Sequence, residues 1–126
     1  MEIILGLGSN RAYMGNSPVC ILAKAVNDLS AFISDIKLSS VYETKPMYVE
    51  NQDNFYNIVL MGNAFNPKNM GDKGGLSPED LLLKINEIEA KWGRNKLKEI
   101  RFGPRSIDID IEETGDLVMD TAFIFF

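Results

Sequence analysis

The 126-residue sequence contains no histidine and a single cysteine, Cys20. Those absences exclude a disulfide framework within the chain, Cys/His zinc sites, and any general base or triad built on imidazole. Cys20 falls on an expected helix, where a lone thiol more often packs than attacks. Long apolar runs are missing too, since nothing approaches the roughly 20 residues of a membrane-spanning helix. The opening MEIILGLGSN has neither the basic region nor the cleavage site of a signal peptide. No Pro/Gly/Ser-rich linker interrupts an ordinary composition, 45% hydrophobic and 25% charged. The expectation is one domain over residues 1–126, in a reducing cytoplasm and away from membranes.

Positive charge is also scarce. The 13 Lys and Arg against 18 Asp and Glu leave a net charge of −5, which argues against general nucleic-acid binding. The basic charge that exists is concentrated. Six basic residues (Lys91, Arg94, Lys96, Lys98, Arg101 and Arg105) lie between positions 91 and 105, with Glu99 the only acid among them. An acidic chain with one basic segment is suited to a small polyanion.

Residues 2–7 form a short apolar run that ends in Gly6-Leu7-Gly8-Ser9-Asn10, which predicts a buried strand entering a turn. Ser17-Pro18 supplies an N-cap and a proline at the first helical position, and Leu22, Ala25, Val26, Leu29 and Ile33 recur at helical spacing. Residues 36–42 predict a second strand, residues 43–54 a loop, and residues 55–61 a central strand antiparallel to the second. The polar stretch 63–75, with Pro67, Gly71, Gly74 and Gly75, predicts a connection. Ser77-Pro78-Glu79-Asp80 repeats the cap signature; Leu81, Ile85, Ile88 and Trp92 form one face before Gly93 stops the helix. After the basic loop, residues 107–111 alternate strictly between isoleucine and aspartate, hence a last strand. The order βαββαβ predicts a ferredoxin-like α+β sandwich, a four-stranded antiparallel sheet with two main helices on one face.

Asp108 and Asp110 project from the same strand face, roughly 6.5–7 Å apart at Cα. Two carboxylates suffice for magnesium, which keeps waters and draws further ligands from substrate phosphates. The same pattern also describes an amphipathic strand with isoleucines in the core and aspartates in water. Upstream, Arg101 and Arg105 flank Phe102-Gly103-Pro104, a tight turn that carries two guanidinium forks toward the strand. Forks of that kind grip phosphate bidentately; the plainer alternative is a solvated loop whose arginines pair with the aspartates. Taken together, RFGPRSIDID (residues 101–110) suggests a magnesium-polyphosphate site. Gly6-Leu7-Gly8-Ser9-Asn10-Arg11 matches neither a dinucleotide fingerprint nor a P-loop, and alone is a strand exit. Phe55 and Asn57 share a strand face, an aromatic plate beside an amide that suits a flat heteroaromatic ring, or equally a core residue beside a strand-end hydrogen bond.

In order and spacing, GLGSN, S-x-Y-E-T-x-P (Ser40 to Pro46), Gln52-x-x-Phe55-x-Asn57, Ile88-Glu89 followed by Gly93-Arg94, and RFGPRSIDIDI resemble the 6-hydroxymethyl-7,8-dihydropterin pyrophosphokinases of folate biosynthesis. The resemblance runs from Met1 to about Asp120. It implies transfer of a pyrophosphoryl group from the co-substrate ATP to the pterin hydroxymethyl group, with release of AMP and with two magnesium ions. By resemblance, Asp108 and Asp110 are the metal ligands, and Arg94, Arg105 and Asp110 are catalytic. Arg94, Lys96, Lys98, Arg101, Arg105 and Ile111 contact the nucleotide. Thr44, Lys45, Met47, Phe55, Asn57, Phe102 and Phe123 hold the pterin, and no nucleic-acid or membrane partner is implied. A monomer or weak dimer is expected.

The sequence departs from the family in three places. Phe102 stands where tryptophan is common, keeping a packing role without the indole N–H, and a lysine within 96–98 replaces an arginine at reduced bidentate capacity. After Gly115-Asp116-Leu117-Val118 the family continues through a Pro-His-Pro loop and an arginine to an aromatic residue, whereas here Thr121 runs straight into Ala122-Phe123. The expectation is that residues between Thr121 and Ala122 are missing from this sequence. Were they absent from the molecule, the alternative is a non-catalytic binder of ATP and pterin. A ferredoxin-like RNA-binding module is disfavoured, because Asp108 and Asp110 occupy the strand positions where such a module needs aromatics.

Overall fold

The computed structural model describes residues 1–46, 51–67, 76–94 and 104–114. They form strand β1 (Glu2–Ser9), helix α1 (Pro18–Leu29), strands β2 (Ile33–Leu38), β3 (Tyr42–Thr44) and β4 (Phe55–Ala64), helix α2 (Pro78–Lys91) and strand β5 (Asp108–Thr114). β1 lies between β4 and β5, antiparallel to both, and β4 pairs antiparallel with β2 and β3 on its other side. This is the expected ferredoxin-like α+β plan, with the outer position beside β4 filled by two successive segments.

Alternation along the strands divides the sheet into a core face and an open face. Ile3, Leu5 and Leu7 of β1, Ile58 and Leu60 of β4, and Ile107 and Ile109 form one buried cluster with Ile21, Leu22, Ala25 and Leu29 of α1 and Leu81, Ile85 and Ile88 of α2. Both helices therefore cover the same face. Each starts as its cap predicts: Ser17 Oγ accepts from the Cys20 N–H and Ser77 Oγ from the Asp80 N–H, with proline in the first turn. Gly93 follows α2 at φ +89°, the left-handed conformation that ends a helix. Trp92 Nε1 donates to Asp28 Oδ2 at 2.8 Å while Lys91 Nζ pairs with Asp28 Oδ1 at 2.8 Å, which ties the end of α2 to α1.

Several expected boundaries move. The first helix stops at Leu29, because the Ser30 N–H closes on the carbonyls of Val26, Asn27 and Asp28; Ile33 instead begins β2. The strand expected over residues 36–42 is split, and Glu43 and Thr44, expected in a loop, pair with Tyr56 and Phe55. β4 continues to Ala64, three residues beyond the expected end. Cys20 lies on α1 as anticipated but is exposed, so it is not a packing residue.

Candidate active site

On the open face the register sets the functional side chains in rows. Tyr42 is opposite Asn57, Asn57 opposite Gly8, and Gly8 opposite Asp108; in the adjoining row Gly6 lies between Val59 and Asp110. The middle of each row is a glycine. A Cβ at Gly8 would stand 3.2 Å from Asn57 Oδ1 and 3.7 Å from Phe55 Cδ1, and one at Gly6 would stand 2.6 Å from Glu112 Oε1. The two glycines thus make a low floor between higher walls. Above it opens a cleft of about 400 Å³ lined on one side by Tyr42, Thr44, Lys45, Phe55 and Asn57 and on the other by Arg94, Arg105, Asp108, Asp110 and Glu112.

On the first wall, Asn57 Nδ2 donates to Thr44 Oγ1 at 3.0 Å and lies 3.3 Å from the carbonyl oxygens of Tyr42 and Phe55. The amide is held by β3, so its oxygen is fixed over Gly8. Burial, and then the nearby Glu112 carboxylate, raise the Tyr42 phenol above its ordinary pKa.

On the second wall, Arg94 is anchored by an ion pair with Glu89, and its Nη1 reaches Asp108 Oδ1 at 2.9 Å. Glu89 is only 3% exposed, and its Oε2 also accepts from the Ile109 N–H at 3.1 Å. A carboxylate so buried is retained because it satisfies a guanidinium and a strand amide together. It joins the end of α2 to β5 beside Asp108. Asp110 opens onto the cleft, and its carboxyl is pushed up to about 7: burial contributes most, then the charge and hydrogen bond of Asp108, then the charges of Glu112 and Glu89. Crowded carboxylates of this kind favour a proton or a cation between them. Asp108 and Asp110 offer oxygen ligands on one strand face, and no group of three or more His, Cys, Asp or Glu side chains is poised around a metal among the described residues. That donor set fits a hydrated magnesium that takes its remaining ligands from a substrate.

The cleft therefore brings together Thr44, Lys45, Phe55, Asn57, Arg94, Arg105, Asp108 and Asp110. Ile111 is not among them, because its side chain packs against the core on the helix side of the sheet. Met47, Lys96, Lys98, Arg101, Phe102 and Phe123 lie outside the described residues. Sequence reasoning missed Tyr42, Glu89, Glu112 and the floor glycines. Glu89 had a readable signal: it follows Leu81 and Ile85 at four-residue steps, an acid on the buried stripe of its helix.

The open face of this antiparallel α+β sandwich thus carries an acidic pair, two arginines and an aromatic-amide wall around one cleft. The family model for 7,8-dihydro-6-hydroxymethylpterin-pyrophosphokinase (HPPK) matches residues 4–119, and the chain belongs to that family. A 2-amino-4-hydroxy-6-hydroxymethyldihydropteridine pyrophosphokinase of Aquifex aeolicus (strain VF5) is 38% identical over 122 residues, covering 97% of this chain and 66% of that protein. The protein of the same name from Bacillus subtilis (strain 168) is 36% identical over 81 residues, 64% of this chain and 41% of the relative. A folate synthesis bifunctional protein of Arabidopsis thaliana is 31% identical over 111 residues, 87% of this chain and 20% of the relative. The chain thus spans at most about two thirds of the length of these relatives.

Proposed function

We propose that the protein transfers a diphosphoryl group from ATP to the hydroxymethyl oxygen of 6-hydroxymethyl-7,8-dihydropterin, giving AMP and the pterin diphosphate. The observation that carries this reading is the facing of Asp108 and Asp110 with Arg94 on one wall by Phe55, Asn57 and Thr44 on the other, across a glycine floor. Family membership and the names of the relatives agree with it.

In this reading Phe55 stacks on the pterin and Asn57 meets its polar edge, with Thr44 and Lys45 closing the pocket. Arg94 and Arg105 bind phosphate oxygens and spread the charge that builds up as the bond between the β-phosphorus and the α-phosphate breaks. Magnesium, two ions by family resemblance, would be held by Asp108 and Asp110 and would neutralise the polyphosphate. The hydroxyl oxygen forms the new bond to the β-phosphorus, its proton passes to Asp110, and AMP leaves with the bridging oxygen. No nucleophilic side chain is needed, because positioning and charge neutralisation carry most of the rate. Met47, Lys96, Lys98, Arg101, Phe102, Phe123 and the backbone at Ile111 complete the proposed contacts. We place the reaction in a reducing cytoplasm, in a monomer or weak dimer.

The test is chromatographic detection of AMP and pterin diphosphate after mixing the protein with magnesium, ATP and the hydroxymethyl pterin. Both products are expected in equal amounts. Binding of ATP and pterin without AMP would instead identify a non-catalytic binder. Full turnover by Asp110→Asn at saturating magnesium would remove Asp110 from the mechanism.

A further inference from the structure

We infer that Asn10 is a positioning residue whose single side-chain amide holds the pterin wall and the phosphate-binding arm of the cleft in mutual register. The inference rests on the function proposed above. Asn10 follows the last residue of β1 and is 5% exposed. Its Nδ2 donates to Gln52 Oε1 at 2.8 Å and to the Asp53 carbonyl oxygen at 2.9 Å. Its Oδ1 accepts from the Arg105 N–H at 2.8 Å. The backbone doubles the second link, with the Asn10 N–H donating to Arg105 O at 2.9 Å and the Arg11 N–H to the same oxygen at 3.2 Å.

The segments joined are far apart in the chain, 42 residues on to Gln52 and 95 on to Arg105. Gln52 and Asp53 lead directly into Phe55 and Asn57. Arg105 is itself on the opposite wall and leads into Asp108. One carboxamide is well suited to both tasks, because it presents two donors from its nitrogen and an acceptor from its oxygen. Serine offers one donor and lacks the reach; aspartate offers only acceptors. A displacement of about 1 Å between reacting groups can cost on the order of 100-fold in rate, so a rigid link between walls bears on turnover and not only on stability.

The two halves of the amide can be separated by substitution. Asn10→Asp keeps the acceptor for the Arg105 N–H and loses both donors. Gln52 can turn its own amide to meet the new carboxylate, but the Asp53 carbonyl has no such recourse and is repelled. The expected result is a KM for the pterin raised about tenfold with KM for ATP within about twofold. Asn10→Ala removes all three side-chain bonds and is expected to lower kcat about 10- to 100-fold as well.

A purely structural asparagine would lower Tm and leave kcat and both KM values, measured well below Tm, at wild-type levels; that outcome, or equal rises in both KM values for Asn10→Asp, overturns the inference. Wild-type protein that makes no AMP would overturn the proposed function instead. Backbone amide NMR then decides the register on its own: Asn10→Asp should shift the resonances of residues 52–57 and keep the Arg105 amide protected from exchange, whereas Asn10→Ala should change both. Unchanged resonances at 52–57 in Asn10→Asp overturn the inference whatever the activity.

Discussion

Asp110 sits where burial, Asp108, Glu112 and Glu89 all oppose its charge, and its carboxyl is pushed up to about 7. The folded metal-free protein therefore keeps a proton on it that the unfolded chain releases near pH 4. Between those values the native state binds more protons, so this contribution is full below about pH 4 and is lost as pH rises toward 7. In EDTA, Tm is expected to fall from pH 5 to 7.5 more steeply for wild type than for Asp110→Asn, and magnesium at pH 7.5 should recover part of the loss. Parallel profiles would contradict the assignment. Glu89 gives a second test at this scale, because Glu89→Gln removes the buried one of the two carboxylates paired with Arg94, leaving Asp108, while the new amide can still accept from the Ile109 N–H. A loss of about 3 kcal/mol in urea unfolding is expected, with a fall in turnover as Arg94 loses its anchor. Period two set Asp108 beside Asp110 and Phe55 beside Asn57 on shared strand faces, whereas Thr44, Lys45 and Arg94 were expected in the cleft from the family resemblance alone. Asn10 was not, because its partners come from segments that only the folded sheet brings beside it.

The elements show why some boundaries were harder to place than others. Leu29 and Ile33 are four residues apart, so Ile33 satisfies a helical pattern although it is the first residue of a strand. Periodicity registers burial, and Ile33 is buried from the sheet. On β5 the register slips beside Glu112: Ile111 is opposite Leu5, but Glu113 is already opposite Ile4, leaving Glu112 as the extra residue of a bulge. A bulge at that point carries a third carboxylate toward Tyr42 and Gly6, which no local pattern foretells. Glycines on the two faces should behave differently when methylated. Gly62→Ala would drive a Cβ to 2.5 Å from Ile33 Cγ2 and 2.8 Å from Ser34 O, where backbone must yield. A destabilisation of about 1–3 kcal/mol is expected by urea titration. Gly8→Ala has one tight neighbour, Asn57 Oδ1 at 3.2 Å, with Phe55 Cδ1 in ordinary contact at 3.7 Å. Its expected signature is a raised KM for the pterin with little change in stability.

For the molecule as a whole, the division of labour follows from both helices packing on one face. The helix face holds the main apolar cluster, and the opposite face, apart from a small cluster of Ile4, Val59 and Met61, is left for polar and charged side chains. The antiparallel sheet with two helices on one face was legible from the βαββαβ succession. The doubled outer strand was not, because Tyr42–Thr44 is only three residues long, Tyr42 reading as the end of a single strand and Glu43 and Thr44 as loop. A site assembled from β1, β3, β4, α2 and β5 couples ligand binding to the global fold. ATP with magnesium is expected to raise Tm by several degrees, and a chelator to abolish most of that shift. Asp108→Asn should lose the magnesium-dependent part; an undiminished shift in that variant would sever Asp108 from the metal.

The junction of Asp28 with Trp92 has a practical consequence of its own. Trp92 is the only tryptophan in the chain, and its indole N–H is bonded to a carboxylate with the Lys24 and Lys91 ammonium groups 5.9 and 5.4 Å from its ring centre. Its emission is thus a built-in optical gauge of the join between the helices. Changes in wavelength and quenching would track the separation of α1 from α2 without any label, while the fluorescence of a pterin bound in the proposed cleft would report separately from the other side of the sheet.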